Sequence, residues 1–149
     1  MDALVIGPPH GLADAVARGL RRRGRTVLRA IAADVSDRER ASWLLDEAGR
    51  PELVIVFDSA PYAVVHELLA LTRARVVLVA EQRAAAARPG LPSPRRLIPR
   101  DEPGLTVVPL GRAGRRWFAL GSGRNEPMGA ERAAALVLRS CAAAAASYR

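Results

Sequence analysis

Five short runs of apolar residues recur along the chain, each bounded by charged or turn-forming residues. They occupy residues 3–7 (Ala-Leu-Val-Ile-Gly), 26–29 (Thr-Val-Leu-Arg), 52–57 (Glu-Leu-Val-Ile-Val-Phe), 75–80 (Arg-Val-Val-Leu-Val-Ala) and 105–110 (Leu-Thr-Val-Val-Pro-Leu). Such runs, short and without polar alternation, read as strands buried on both faces, the pattern of a parallel sheet. Parallel neighbours cannot be joined by a tight hairpin, so the segments between the runs must be crossovers. The sequence supplies helices there. Leu12, Val16 and Leu20 recur every fourth residue over 11–22, and Gly24 stands where that helix should stop. Ser36 and Glu39 have capping-box spacing ahead of Trp43, Leu44 and Leu45, with Gly49 as terminator. Pro61 suits the first turn of a third helix, on which Val64, Leu68 and Leu71 share a face. Residues 127–148 read as a long alanine-rich helix with Ala130, Ala134, Val137 and Cys141 or Ala145 turned inward. Residues 115–120 offer a sixth strand. Pro109 demotes the far end of the fifth run. Residues 82–103, with five prolines and five arginines, read as a long loop with a short helix at 81–87. The expected fold is α/β: a Rossmann-like, doubly wound, mainly parallel sheet of five to six strands with helices on both faces, in one domain over residues 1–149.

Composition narrows the chemistry. The 149 residues suit one domain with a real core, and with 4% aromatic residues that core must be built from Val, Leu, Ile and Ala. All 23 cations are arginine. Without lysine there is no Schiff base, no lysine acid or base and no Walker-type phosphate lysine. Abundant Ala, Gly, Pro and Arg is the signature of GC-rich coding, which accounts for most of the net charge of +8. A single cysteine, Cys141, excludes an internal disulfide, and two separated histidines, His10 and His66, leave no metal site to expect. The lone thiol fits a reducing, cytoplasmic setting. No apolar run nears the ~20 residues that span a bilayer, and the N-terminus lacks a signal-peptide layout, so no membrane partner is expected.

In doubly wound sheets ligands bind beyond the carboxyl ends of the strands. The first run is followed by Gly7-Pro8-Pro9-His10-Gly11-Leu12-Ala13. Glycines between strand and helix let the backbone turn tightly and bring helix N–H groups against a phosphate, while Ala13 is small enough for close helix packing. The competing reading is a merely tight turn, which Pro8 and Pro9 favour because they remove two backbone donors from the loop. His10 lies at the ligand end, where a turn hydrogen bond is its plainer role. Asp58 and Ser59, after the third run, suit either a ligand hydroxyl or the cap of the next helix. Tyr62 and His66 stand four apart on the third helix and could pair on one face. His10, Asp58, Tyr62 and His66 are the candidate acid–base residues.

These segments resemble the short-chain dehydrogenase/reductase superfamily, particularly its atypical members similar to nucleotide-sugar epimerases and nitrogen-regulator-like NADP binders. The resemblance is carried by residues 5–13, Arg29, residues 33–37 (Ala-Asp-Val-Ser-Asp), residues 53–60 and residues 105–111, and it extends loosely over the whole chain. It implies that the loop holding Gly7, His10, Gly11 and Leu12 takes a pyrophosphate. It further implies that Asp34 and Val35 flank an adenine, and that Asp58, Ser59 and Ala60 pass under a ribose. Arg29 falls where the family places an acid for NAD or a base for the 2′-phosphate of NADP, so NADP is the implied cofactor, with Arg25 as a possible helper. The family's catalytic tyrosine and the lysine four residues on are missing: His66 follows Tyr62 at that spacing, and no lysine exists to lower a phenol's pKa. The family's members are also longer, near 250 residues, so the chain looks like a cofactor-domain remnant.

The expected function is therefore a nucleotide-binding or regulatory module, most directly for NADP(H), without standard dehydrogenase activity. Two alternatives stand beside it: a small-metabolite enzyme using non-standard acid–base residues, and a degenerate partner acting through a protein interface. A nucleotide or other small molecule and a second copy of the chain, as a homodimer, are the expected partners. Arg18, Arg21, Arg22, Arg23, Arg25 and Arg29 form one acid-free group and Arg83, Arg88, Arg95, Arg96 and Arg100 another. Base-stacking aromatics and a recognition helix are lacking, so nucleic acid is not an expected partner.

Overall fold

The computed structural model describes residues 2–35, 37–57, 62–83, 103–119 and 126–147. Six strands form one sheet: β1 (Ala3–Ile6), β2 (Val27–Ala30), β3 (Leu53–Phe57), β4 (Arg75–Arg83), β5 (Leu105–Ala113) and β6 (Arg116–Ala119). Four helices accompany them: α1 (Gly11–Arg22), α2 (Arg38–Glu47), α3 (Tyr62–Leu71) and α4 (Ala130–Ser147), with a 3-10 turn at Ala32–Val35. The strand order is β2-β1-β3-β4-β5-β6. The first five strands are parallel, and β6 turns back antiparallel on β5. This is the doubly wound α/β architecture that the apolar runs demand.

Side chains alternate strictly between the two faces. Val5, Ile55, Phe57, Val77, Val79, Val108 and Leu110 pack with α1 and α4 in one core. Leu4, Ile6, Val54, Val56, Val76, Leu78 and Leu105 pack with α2 and α3 in the other. The division follows from handedness. The chain moves one way from β1 to β2 and the opposite way from β2 through β3 to β4, so right-handed connections put α1 on one face and α2 and α3 on the other. α4 joins α1, and the two helices approach closely: a Cβ on Gly19 would lie 2.7 Å from Leu138 Cδ1.

Several boundaries differ from those expected. α2 is capped by Asp37, whose carboxylate accepts from the Arg40 N–H at 2.8 Å, and not by Ser36, which lies outside the described residues. Glu81–Arg83 continue β4 and do not start a helix, because β5 pairs with them in register as far as Arg83↔Arg112. β5 also runs through Pro109. β6 pairs only with residues 110–113 of β5, so the proline's missing N–H costs nothing on the side where no described strand lies. The inward face of α4 is Ala133, Ala134, Val137, Leu138 and Cys141. Residues 84–102 and Pro61 lie outside the described residues.

Trp43 (63% exposed) and Ile31 (44%) are the two large apolar side chains left open among the described residues. No described helix is long and apolar enough to cross a membrane.

Cys141 sits in the α1/α4 core, where burial pushes its thiol up to about 11 from an ordinary 9.0. The unfolded chain ionises first, so this residue's contribution to stability should be complete below about pH 9 and lost as pH rises from 9 to 11. The loss should be on the order of 2 kcal/mol. Urea titrations across that range should show this slope in the native chain and lose it in Cys141→Ala. An equal slope in both proteins would assign the effect to other groups.

Candidate functional site

The switch in winding direction lies between β1 and β3, whose connections leave for opposite faces. In open α/β sheets the crevice beyond the carboxyl ends of such a pair is the ligand position. The loop at 7–11 follows β1 there, and residues 58–60 lie outside the described residues.

Gly7 is a point of close approach between the chain and the helix that follows. A Cβ there would lie 3.0 Å from Ala13 Cβ and 3.0 Å from Phe57 Cβ, so any larger residue would need α1 or β3 to give way. Gly11 serves a different need. Its φ is +68°, a left-handed conformation, and nothing lies within 4 Å of where its Cβ would point. α1 therefore begins beneath open space.

The donors of this loop can be counted. The Gly7 N–H is spent on Ala30 O at 2.9 Å, and Pro8 and Pro9 have none. His10, exposed and extended, precedes α1 without capping it through its side chain. The N–H groups of Gly11, Leu12 and Ala13 have no intrahelical acceptor, and their helix contributes the positive end of its dipole. Together with the exposed His10 they are the groups this loop can offer an anion. Leu12 supplies only backbone, because its side chain is in the core.

Arg29 holds the loop from below. Its Nη1 donates to Val5 O at 3.0 Å, its Nη2 donates to Pro8 O, and its Nε lies 4.0 Å from Asp14 Oδ1. The side chain is only 18% exposed, and burial pulls its pKa below the usual value against the opposing pull of Asp14. A guanidinium remains protonated regardless. Its planar fork thus answers one carbonyl of β1 and one of the loop, and so ties the loop to the strand. From Asp14 the charges continue: Arg18 reaches Asp14 at 2.9 Å and Glu131 on α4 at 2.9 Å, and Arg22 lies 3.5 Å from Glu131. The Arg18 hydrogen bond lowers the pKa of Glu131.

Other sequence candidates fall elsewhere. Asp34 is engaged locally, its Oδ2 accepting from the Ile31 N–H at 2.9 Å, and Val35 is buried in the α2/α3 core. Arg25 stands before β2, at the opposite end of the sheet from the loop, paired with Glu52 at 3.4 Å, so it does not assist Arg29. His66 lies exposed on α3. Asp58, Ser59, Ala60 and the Tyr62 side chain lie outside the described residues. No metal-holding cluster occurs among the described residues.

Two groups escaped the sequence reading. Asp14 and Arg18 carried the i, i+4 signal of a helix-surface pair, whereas Glu131, 113 residues from Arg18, had none. Glu81, Arg112 and Trp117 meet at the carboxyl ends of β4 and β5, through a register that no local spacing reveals. Two clefts open at the other end of the sheet. One of about 940 Å³ lies beside Arg50 and Arg73, and one of about 240 Å³ beside Arg23 and Cys141. Comparison with protein-family models, with curated proteins and with solved structures returned no match to this chain.

Gly7→Ala should force α1 away from β3 and cost about 1–3 kcal/mol, measurable as a lower urea midpoint with unchanged m. A neutral result would mean that Ala13 and Phe57 yield freely.

Proposed function

We propose that this chain is a binding module for a phosphate-bearing nucleotide, NADP(H) being the ligand to test first. The observation that carries the reading is the start of α1. The N–H groups of Gly11, Leu12 and Ala13 lack intrahelical acceptors, the space a Cβ on Gly11 would enter is open, and the loop before them, at the switch point of the sheet, is held by Arg29. Backbone N–H groups and the helix dipole together favour a phosphate there. Hydride transfer of the tyrosine–lysine kind is outside the proposal, since the chain has no lysine. In this reading Arg29 acts on the nucleotide through the loop.

Calorimetry with NADPH and NADH tests it. Gly11→Asn keeps the left-handed backbone, which asparagine tolerates, but puts a side chain into the open space, and it should abolish binding of both. Arg29→Met should weaken both by about tenfold or more, the worth of one charge-assisted hydrogen bond. A loss confined to NADPH would instead mean that Arg29 meets the 2′-phosphate. No binding to the native chain at millimolar nucleotide would end the reading.

The homodimer belongs to the same proposal, supported by the exposure of Trp43 and Ile31. Sedimentation at micromolar concentration should show a dimer that Trp43→Glu converts to monomer, and a native monomer would refute it.

A further inference from the structure

Among the described residues β1 and β2 end level with one another at Ile6 and Ala30 and β3 ends at Phe57, but β4 and β5 run on past that level. Phe57 is level with Val79 on β4, and Val79 with Val108 on β5. Beyond that level β4 continues to Arg83 and β5 to Ala113, with β6 paired alongside. At ~3.3 Å per residue the three strands stand roughly 13 Å above the floor of the crevice, as a wall at its side. Val77, Val79 and Glu81 share one face of β4, and Val108, Leu110 and Arg112 the same face of β5. The four apolar members pack with α1 and α4. Glu81 and Arg112 therefore stand on the side of the sheet that carries α1.

Arg112 is held on three sides. Its Nε donates to Gly114 O at 3.0 Å, its Nη1 lies 3.5 Å from Glu81 Oε2, and its guanidinium carbon sits 5.6 Å from the centre of the Trp117 ring. Trp117 is buried and donates its indole N–H to Glu81 Oε1 at 3.3 Å. Yet 40% of the Arg112 side chain remains exposed, against 21% of Glu81. Its Nη2 makes no hydrogen bond or ion pair among the described residues. A guanidinium so fixed loses little rotamer freedom on meeting an oxyanion, and its planar fork suits carboxylate and phosphate alike.

We propose that Arg112 anchors the carboxylate or phosphate group of a small molecule that enters at the carboxyl end of the sheet, on the α1 side of the β4–β5–β6 wall. Glu81 sets the guanidinium plane and tempers its charge. The anchor goes beyond the nucleotide reading and stands independently of it.

The Trp117 indole N–H reports on the site because it bonds the carboxylate that holds Arg112. In proton–nitrogen correlation spectra, with the indole signals distinguished by Trp43→Phe, the full chain is titrated with inorganic phosphate and with malonate at constant ionic strength. The Trp117 signal should shift saturably in the native chain and equally in Gly11→Asn, which removes only the proposed phosphate loop. The midpoint should rise at least tenfold in Arg112→Gln and fall severalfold in Glu81→Gln, which leaves the guanidinium unneutralised. A lower midpoint for malonate assigns a carboxylate ligand, and one for phosphate a phosphorylated ligand. The proposal is overturned by a signal that does not move, by Arg112→Gln that titrates like the native chain, or by Glu81→Gln that binds no more tightly. Should Arg112→Gln fail to fold, the Glu81→Gln direction decides alone.

Discussion

Burial of β1, β3 and β4 on both faces is the constraint from which the rest of the molecule follows. Each Val, Leu or Ile taken fully out of water contributes roughly 1.5–3 kcal/mol, whereas an exposed ion pair contributes about 0–1 kcal/mol. The strands therefore decide the architecture and the many arginines do not. Strands apolar on both sides need a helix layer above and below, and a chain that leaves β1 in one direction and later passes it in the other must place those layers on opposite faces. The switch point at the carboxyl ends of β1 and β3 is a by-product of that packing.

Most of this was legible because the decisive signals are local. An apolar run such as 53–57 says strand, a fourfold spacing such as Leu12, Val16 and Leu20 says helix, and handedness does the rest. The errors arose where neighbours in space decide. Residues 81–83 have helical composition but extend as strand because β5 pairs with them. Asp37 caps α2 although Ser36 has the better capping-box spacing. The site was legible only in part, for the same reason. Gly7 and Gly11 announce themselves as glycines at a strand-to-helix turn. That Arg29 faces inward, under Pro8, is fixed by the strand pairing of Val5 with Arg29 and by the carbonyls the prolines leave exposed.

The arginine groups also change meaning in three dimensions. Residues 18–29 contain no acid in sequence, yet Arg18 and Arg22 meet Glu131, Arg25 meets Glu52, and Arg29 approaches Asp14. Arg21 and Arg22 occupy the last turn of α1, Arg50 follows α2, and Arg73 follows α3. Every helix of a parallel α/β unit directs its negative end toward the amino-terminal side of the sheet, and cations placed there offset it by about 0.3–1 kcal/mol each. The arginines of residues 18–29 are thus partly answered by acids distant from them in sequence.

The pair Pro8-Pro9 has a consequence in time as well as in donors. Proline restricts the unfolded loop to few conformations, and in the folded chain Arg29 ties the same loop to β1 and β2 through two carbonyls. A loop restrained this way, by its own residues and by Arg29, is set in place before any ligand reaches it. The nucleotide proposed to settle over α1 would then arrive at a seat already cast. Its arrival is governed by encounter and orientation, and the length of its stay by how readily the seat lets go.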